Sequence, residues 1–146
     1  LPILDINIFK EMIDKNLLNY LKMINLVLPY MKKGGSIINV SSIASVNGKG
    51  SNMGYCASKS ALDSVTRSLA HTLSPKIRIN SICPGLTDTD MTKKAPTSYI
   101  KNQISITPMK RLARPEDIAN AIYSIAELNT FINGQCIVVD GGRLLS

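Results

Sequence analysis

The stretch Tyr55-Cys56-Ala57-Ser58-Lys59 puts a phenol and an ammonium four residues apart. On a helix, that spacing places both side chains on one face. A tyrosine near its reference pKa of about 10 is a poor base at neutral pH. A neighbouring ammonium favours the phenolate and lowers that value. Such a pair can give a proton to a carbonyl oxygen or take one from an alcohol. The spacing also suits an ordinary surface pair, so the surroundings matter. Thirteen residues before Tyr55 stands Ser42, in Asn39-Val40-Ser41-Ser42, just past a short apolar run. A serine at the carboxyl end of a strand faces the crevice where open α/β sheets bind ligands. Its hydroxyl could hold a substrate oxygen and stabilise charge developing there. A loop-capping serine is the alternative, with Ser41 and Ser45 of the same type beside it.

These residues need elements to hold them. Asp5 is placed to cap a helix with apolar positions Phe9, Met12, Ile13, Leu17, Tyr20, Leu21, Ile24 and Leu28, running to about Met31 and stopped by Gly34–Gly35. Ser36–Ser41 reads as a β-branched strand, and the polar, glycine-rich stretch 42–52 as a loop. A helix is predicted from about Met53 to Leu73, ended by Pro75. Ile77–Cys83 alternates as a strand, stopped by Pro84–Gly85. Leu86–Arg114 is a polar excursion with short helices, Pro115 opens a helix to about Leu128, and Gln135–Val139 is a last strand. Strands alternating with helices predict a parallel sheet with helical crossovers. A doubly wound nucleotide-binding sheet has about six strands in two halves, and only three are legible. The expected fold class is therefore α/β: a single partial domain over residues 1–146, the second half of a doubly wound parallel, Rossmann-type sheet with its N-terminal strands missing.

Asn39-Val40-Ser41-Ser42 followed by Tyr55-x-x-x-Lys59 resembles the active site of the short-chain dehydrogenase/reductase family. Further segments agree in order: Lys15-Asn16-Leu17 with the helical stretch that carries the family's asparagine, and Arg78–Gly85 with the strand ending in Pro-Gly beneath the nicotinamide. Thr87–Met91 resembles the loop that follows, and Gly134-Gln135 with Val139-Asp140-Gly141-Gly142 the family's ending. The resemblance covers nearly all of the chain. It implies an NAD(P)-dependent oxidoreductase that moves hydride between NAD or NADP and a carbonyl or alcohol. Tyr55 would be the general acid/base, Lys59 would lower its pKa and bind the nicotinamide ribose, Ser42 would orient the carbonyl, and Asn16 would support a water in the proton relay. Pro84 and Gly85 would let the backbone pass close to the nicotinamide, and Thr87 and Thr89 would meet its carboxamide end.

The family opens with a strand, a Gly-x-x-x-Gly-x-Gly turn and a helix that hold the pyrophosphate, and none is found here. Backbone donors at a helix N-terminus are what a pyrophosphate needs, and Gly48, Gly50 and Gly54 lie inside the catalytic loop. These 146 residues alone are therefore expected to lack tight cofactor binding.

Apolar residues make up 45% and charged residues 18% of the chain, which suits a packed domain rather than disorder. No apolar run reaches the ~18 residues needed to span a bilayer. Three scattered cysteines suggest buried filler and a reducing cytoplasm rather than disulfides or a metal site. A single histidine, His71, gives metal or His-relay chemistry little material, and it stands four turns beyond Tyr55 on what reads as an exposed face. Asp63 and Arg67 read as an ordinary i,i+4 ion pair. The net charge of +7 has no long basic run behind it and so argues against a nucleic-acid face.

Lys93, Lys94, Lys110, Arg111 and Arg114 are either a solvated loop or a docking patch for an acidic acyl-carrier protein, with Lys32, Lys33 and Lys76 expected to add to it. The resemblance extends to 3-oxoacyl-[acyl-carrier-protein] reductases of fatty acid biosynthesis, so a 3-oxoacyl thioester is the favoured substrate. A sugar, polyol or steroid alcohol is the alternative, and an inactive fragment the rival. Surplus apolar positions at Tyr20, Met23, Leu26 and Val27 predict a homo-oligomer with helices paired across a two-fold axis, and the resemblance implies a homotetramer built from dimers. Thr89–Arg114, with few apolar anchors, is expected to act as a lid.

Overall fold

A computed structural model describes residues Asp5–Ser146. Three strands, β1 (Gly35–Val40), β2 (Ile77–Pro84) and β3 (Cys136–Val139), form one sheet in the order β1-β2-β3. Both pairings are parallel, Gly35 opposite Ile77 at one end and Pro84 opposite Val139 at the other. The expected half of a parallel α/β sheet is thus what forms.

Strand alternation sends successive side chains to opposite faces. Ile37 and Ile79 pack with Ile24, Leu28, Leu69, Ala70 and Leu73. Ile38 and Ile82 pack on the other face with Ile118, Ala121, Ile122 and Ile125. The first face is covered by α2 (Asn19–Val27) and, beyond a one-turn α3 (Ala44–Asn47), by the long α4 (Met53–Leu73), with α1 (Ile6–Ile13) packed against α4. The excursion carries α5 (Thr97–Ile106), and the second face is covered by α6 (Pro115–Tyr123).

A buried polar link crosses the first face. Asn39 Nδ2 donates to Thr66 Oγ1 at 2.9 Å, and Thr66 Oγ1 lies 2.9 Å from Ser81 Oγ. It ties β1, α4 and β2 in register near the ends that carry Ser42 and Pro84. Removing one member would strand a buried polar group at a cost of about 1–3 kcal/mol.

Several local expectations change. Asp5 caps as predicted, its carboxylate accepting Asn7 N–H at 2.9 Å and Ile8 N–H at 3.3 Å. The helix it starts is not continuous: Asp14–Leu18 is a π turn, with Asn19 N–H reaching back five residues to Asp14 O. It ends in a 3₁₀ turn over Leu28–Tyr30 that accommodates Pro29, and Gly35 opens β1 rather than stopping a helix. The last five residues of the helix after Pro115 are also a π turn, Ser124–Leu128. There Arg78 donates to the carbonyls of Ile125, Ala126 and Ile132 at 2.7–3.0 Å, capping the helix end from the sheet.

The stretch 42–52 is not all loop. Ala44–Asn47 closes a helical turn because Ala44 is buried and Gly48, at φ +67°, can take the left-handed cap. Asp63 and Arg67 do not pair. Asp63 is buried and accepts the Cys83 thiol, while Arg67 Nη1 donates to Cys136 Sγ at 3.3 Å.

The basic-patch expectation also changes. Lys32, Lys33 and Lys76 precede the amino ends of β1 and β2. Ser42 and Gly85 leave the carboxyl ends, one strand length of about 20 Å away, so these lysines cannot share a patch with the site. His71 is exposed, as predicted, and all three cysteines are free. Among the described residues no helix is long and apolar enough to cross a membrane, and no group of three acidic, histidine or cysteine side chains could hold a metal ion.

Candidate active site

The carboxyl ends of β1 and β2 are strapped to the start of α4. Ser41 N–H donates to Ile82 O at 2.7 Å and Ile43 N–H to Pro84 O at 3.1 Å, fixing the turn that carries Ser42 across both strands. On the helix side Ser41 Oγ donates to Lys59 O at 3.4 Å and Ser60 Oγ to Ser45 O at 2.9 Å. Ser42 is thereby held beside the turn that bears Tyr55 and Lys59. Its Oγ accepts Ala44 N–H at 3.1 Å, so the capping role considered from sequence is real. The cap uses an oxygen lone pair and leaves the hydroxyl proton free to donate. Capping and substrate binding are therefore compatible.

Tyr55 sits in the first turn of α4. Asn52 caps that helix, its Oδ1 accepting Tyr55 N–H at 2.8 Å. Two glycines let the chain close on the tyrosine. A side chain at Gly50 would meet Cys56 Sγ at 2.8 Å and the Tyr55 ring at 2.9 Å, and one at Gly54 would meet the Phe9 backbone at 2.9 Å. Gly54 thus sets how closely α1 and the π turn lie against α4. Asn16 belongs to that turn, a feature often found at functional sites. It is half-buried, its amide 3.7 Å from Met12 Sδ, a weak acceptor.

Lys59 is 6% exposed and its Nζ donates to Val40 O at 2.8 Å. An ammonium has three protons, so two remain for a ligand. Nζ also lies 5.0 Å from the ring centre of Tyr20 and 5.9 Å from that of Tyr55. Burial lowers the lysine below its ordinary value, opposed by the charge of Asp63 and then of Cys83. Burial raises the Tyr20 phenol, with Tyr55 adding to it. Tyr20 Oη reaches Val40 O at 3.4 Å. Tyr20, expected among the surplus apolar positions, is half-buried at the site. The available signal was its position four residues after Asn16, on the same helical face.

Pro84 and Gly85 leave β2 as expected. The missing side chain of Gly85 faces Asp140, whose Cα would lie 2.9 Å from a Cβ there, so β3 is what demands glycine at this position. Past it, Thr87 Oγ1 donates to Gly85 O at 3.1 Å. The buried Thr92 hydroxyl donates to Thr87 O and accepts from Thr89 N–H at 3.2 Å and Thr89 Oγ1 at 2.9 Å. Thr92 is thus the knot of a loop expected to have few anchors. With its proton used on Thr92, Thr89 Oγ1 keeps lone pairs for an amide donor.

The residues present fit the nicotinamide end of a dinucleotide: free ammonium protons at Lys59 and acceptors at Thr89, all at the carboxyl edge of the sheet. Gly50 and Gly54 are closed against Tyr55 and Phe9 and provide no pyrophosphate cradle.

A family model described as enoyl-(acyl carrier protein) reductase matches residues 3–143. The chain is 38% identical over 137 residues to 3alpha-hydroxysteroid dehydrogenase of Mediterraneibacter gnavus, covering 91% of this chain and 55% of that protein. It is 34% identical over 137 residues to 3-oxoacyl-[acyl-carrier-protein] reductase FabG of Thermotoga maritima, covering 91% of this chain and 56% of that one. The crystal structure of angucycline C-6 ketoreductase LanV with bound NADP superposes with a TM-score of 0.88 at 26% identity, over 98% of this chain and 56% of LanV. The chain thus spans a little over half the length of these relatives. With strand order, site geometry and these matches in agreement, the chain belongs to the short-chain dehydrogenase/reductase family.

Proposed function

We propose that the full-length protein reduces a carbonyl with NADPH or NADH, or oxidises the matching alcohol, and that this chain holds the acid–base machinery. The observation that carries the reading is the strapping of Ser42 against the turn of α4 that bears Tyr55 and Lys59. When bound, the dinucleotide supplies or accepts the hydride. Ser42 Oγ donates its free proton to the carbonyl oxygen and orients it. The Tyr55 hydroxyl transfers its proton to that same oxygen as negative charge develops there, and takes it back in the oxidation direction. Lys59 presents its remaining ammonium protons to the ribose hydroxyls and its charge to the Tyr55 oxygen. Asn16 supports a water through which Tyr55 regains a proton from solvent after reduction, or releases one after oxidation. Pro84, Gly85, Thr87 and Thr89 line the nicotinamide end, an assignment supported by the likeness to an NADP-bound ketoreductase.

The favoured substrate is a 3-oxoacyl thioester, in keeping with the similarity to FabG. Part of the basic patch is already engaged: Arg111 pairs with Asp117 at 2.5 Å, and Lys93 with Asp90 at 3.3 Å. Lys94, Lys110 and Arg114 then remain as the main points for an acidic carrier protein, Lys110 Nζ donating to Ser105 O at 2.7 Å. A steroid alcohol is the second reading, favoured by the higher identity to the hydroxysteroid dehydrogenase. A cytoplasmic homotetramer completes the proposal, with Met23 and Leu26 more than 60% exposed on α2.

The test is oxidation of NADPH and NADH by the full-length protein with a 3-oxoacyl thioester, a steroid ketone and an aldose. Preferential turnover of the thioester supports the reading. No turnover of any carbonyl with either cofactor overturns it.

A further inference from the structure

Tyr55, Lys59, Asp63 and Arg67 follow one another at steps of four along α4, so phenol, ammonium, carboxylate and guanidinium form a single ridge. The third member is unusual. Asp63 is 5% exposed, and among the described residues its side chain accepts one hydrogen bond, from a weak donor, Cys83 Sγ, at 3.6 Å on Oδ2. Oδ1 is buried with no partner among the described residues. A carboxylate in that position is costly unless a charge offsets it. Arg67 is turned to Cys136 Sγ. The remaining full charge on the ridge is Lys59, one turn nearer the site, equally buried, with its own hydrogen bond spent on Val40 O. The two charges offset one another through a low-dielectric interior, where charges act over longer distances than in water.

We propose that Asp63 is the buried counter-charge that keeps Lys59 protonated, a positioning residue acting on the reaction through Lys59 rather than by touching substrate. The inference rests on the reading of Lys59 given above. The groups facing Lys59 are Tyr20 from α2, Tyr55 and Asp63 from α4 itself, and Cys83 from β2; β1 offers only the Val40 carbonyl. Of these, the Asp63 carboxylate is the leading charge opposing the burial of Lys59, ahead of the Cys83 thiol, which burial and then Asp63 push up to about 11. Burial drives Lys59 toward its neutral form and Asp63 opposes this. Removing the carboxylate therefore lets Lys59 lose its proton at lower pH. The cation beside the Tyr55 oxygen is then lost on the alkaline side.

The direct readout is an NMR titration of the full-length protein labelled with 13C at lysine Cε, the Lys59 signal being assigned by its loss in Lys59→Met. Asp63→Asn should move the Lys59 midpoint to lower pH, and Asp63→Glu should move it back toward the parent. Carbonyl reduction by Asp63→Asn should lose roughly three- to tenfold in kcat/KM above about pH 8, with little loss below about pH 6. An unchanged Lys59 midpoint in folded Asp63→Asn overturns the proposal. Should Asp63→Asn not fold, the double variant Lys59→Met/Asp63→Asn decides: recovery of the fold on removing the lysine supports the charge pairing, and failure to recover overturns it. The titration needs no turnover. A parent protein that oxidises no NAD(P)H would end the functional reading and leave the Asp63 result intact.

Discussion

Gly54→Ala isolates the contact that sets α1 against the catalytic helix. A Cβ at residue 54 would stand 2.9 Å from Phe9 Cα and 3.2 Å from Met12 Cβ. Carbon atoms in good contact are about 3.5–4.0 Å apart. The obstacle at Phe9 is backbone, so α1 must retreat by roughly 0.6–1 Å, and overpacking of this kind costs about 1–3 kcal/mol. Against this, alanine is favoured over glycine in a helix interior by about 0.8–1 kcal/mol. The gain is smaller here, because Gly54 is the second residue of α4. A net loss of about 0.5–2.5 kcal/mol follows. In urea, with slopes of about 1–3 kcal/mol per molar, a loss of ~1 kcal/mol lowers the unfolding midpoint by roughly 0.3–1 M. Circular dichroism of parent and variant across a urea series measures it. The retreat also draws the π turn and Asn16 away from Tyr55, so turnover should fall with stability. A variant as stable as the parent, or more stable by the helix-propensity gain, would refute the packing argument.

Cys83 is fully buried and its thiol is pushed up to about 11 by burial and by Asp63. Iodoacetamide at pH 8 should leave it unmodified in the native protein and modify it in urea, as peptide mass spectrometry would show; native modification at the rate of a free thiol would count against the buried cluster. The Arg111 hydrogen bond, then the Arg114 backbone, hold the Asp117 carboxyl below its ordinary range. Its contribution to stability is therefore present above the unfolded carboxylate pKa and lost as pH falls through the lower folded one. Asp117→Asn should flatten the acid-unfolding profile in that window, and an unchanged profile would exclude the pair as a contributor. Thr89–Arg114 should be poorly protected from hydrogen exchange without ligand and protected with cofactor and substrate together. Its ends should stay protected in both states, since Asp88 N–H donates to Ala113 O at 2.8 Å and Ala113 N–H to Leu86 O at 3.1 Å. Equal protection of the whole segment in both states would end the lid proposal.

The parallel sheet, the Met53–Leu73 helix and the strands after Gly34 and Lys76 were legible because period-two and period-four apolar patterns, bounded by glycine and proline, have few alternative readings. The π turns were not legible. An extra residue in a turn leaves the apolar spacing nearly intact, and only the backbone of Asn19 reports it. At the site, Tyr55, Lys59 and Ser42 stood out by spacing, and the strap between β1 and α4 brings them together. Tyr20, Asp63 and Thr92 did not stand out. Each is a polar side chain whose role comes from what a distant segment places over it; the spacing from Asn16 hints at Tyr20, and nothing local marks Asp63 or Thr92. Asp63 and Arg67 show the hazard plainly: the spacing of an ordinary ion pair conceals a buried acid and an arginine turned to a cysteine.

The proton carried by Tyr55 is the centre of the proposed chemistry. Phenylalanine keeps the ring that packs against Gly50 and removes only the hydroxyl, so the fold should survive. Loss of general acid/base catalysis is worth about 10²–10⁴-fold. Steady-state reduction of a carbonyl by the full-length Tyr55→Phe protein should therefore fall by that factor in kcat, with circular dichroism and the unfolding midpoint unchanged. A Tyr55→Phe protein within a few-fold of the parent would contradict the assignment and require another acid at this site.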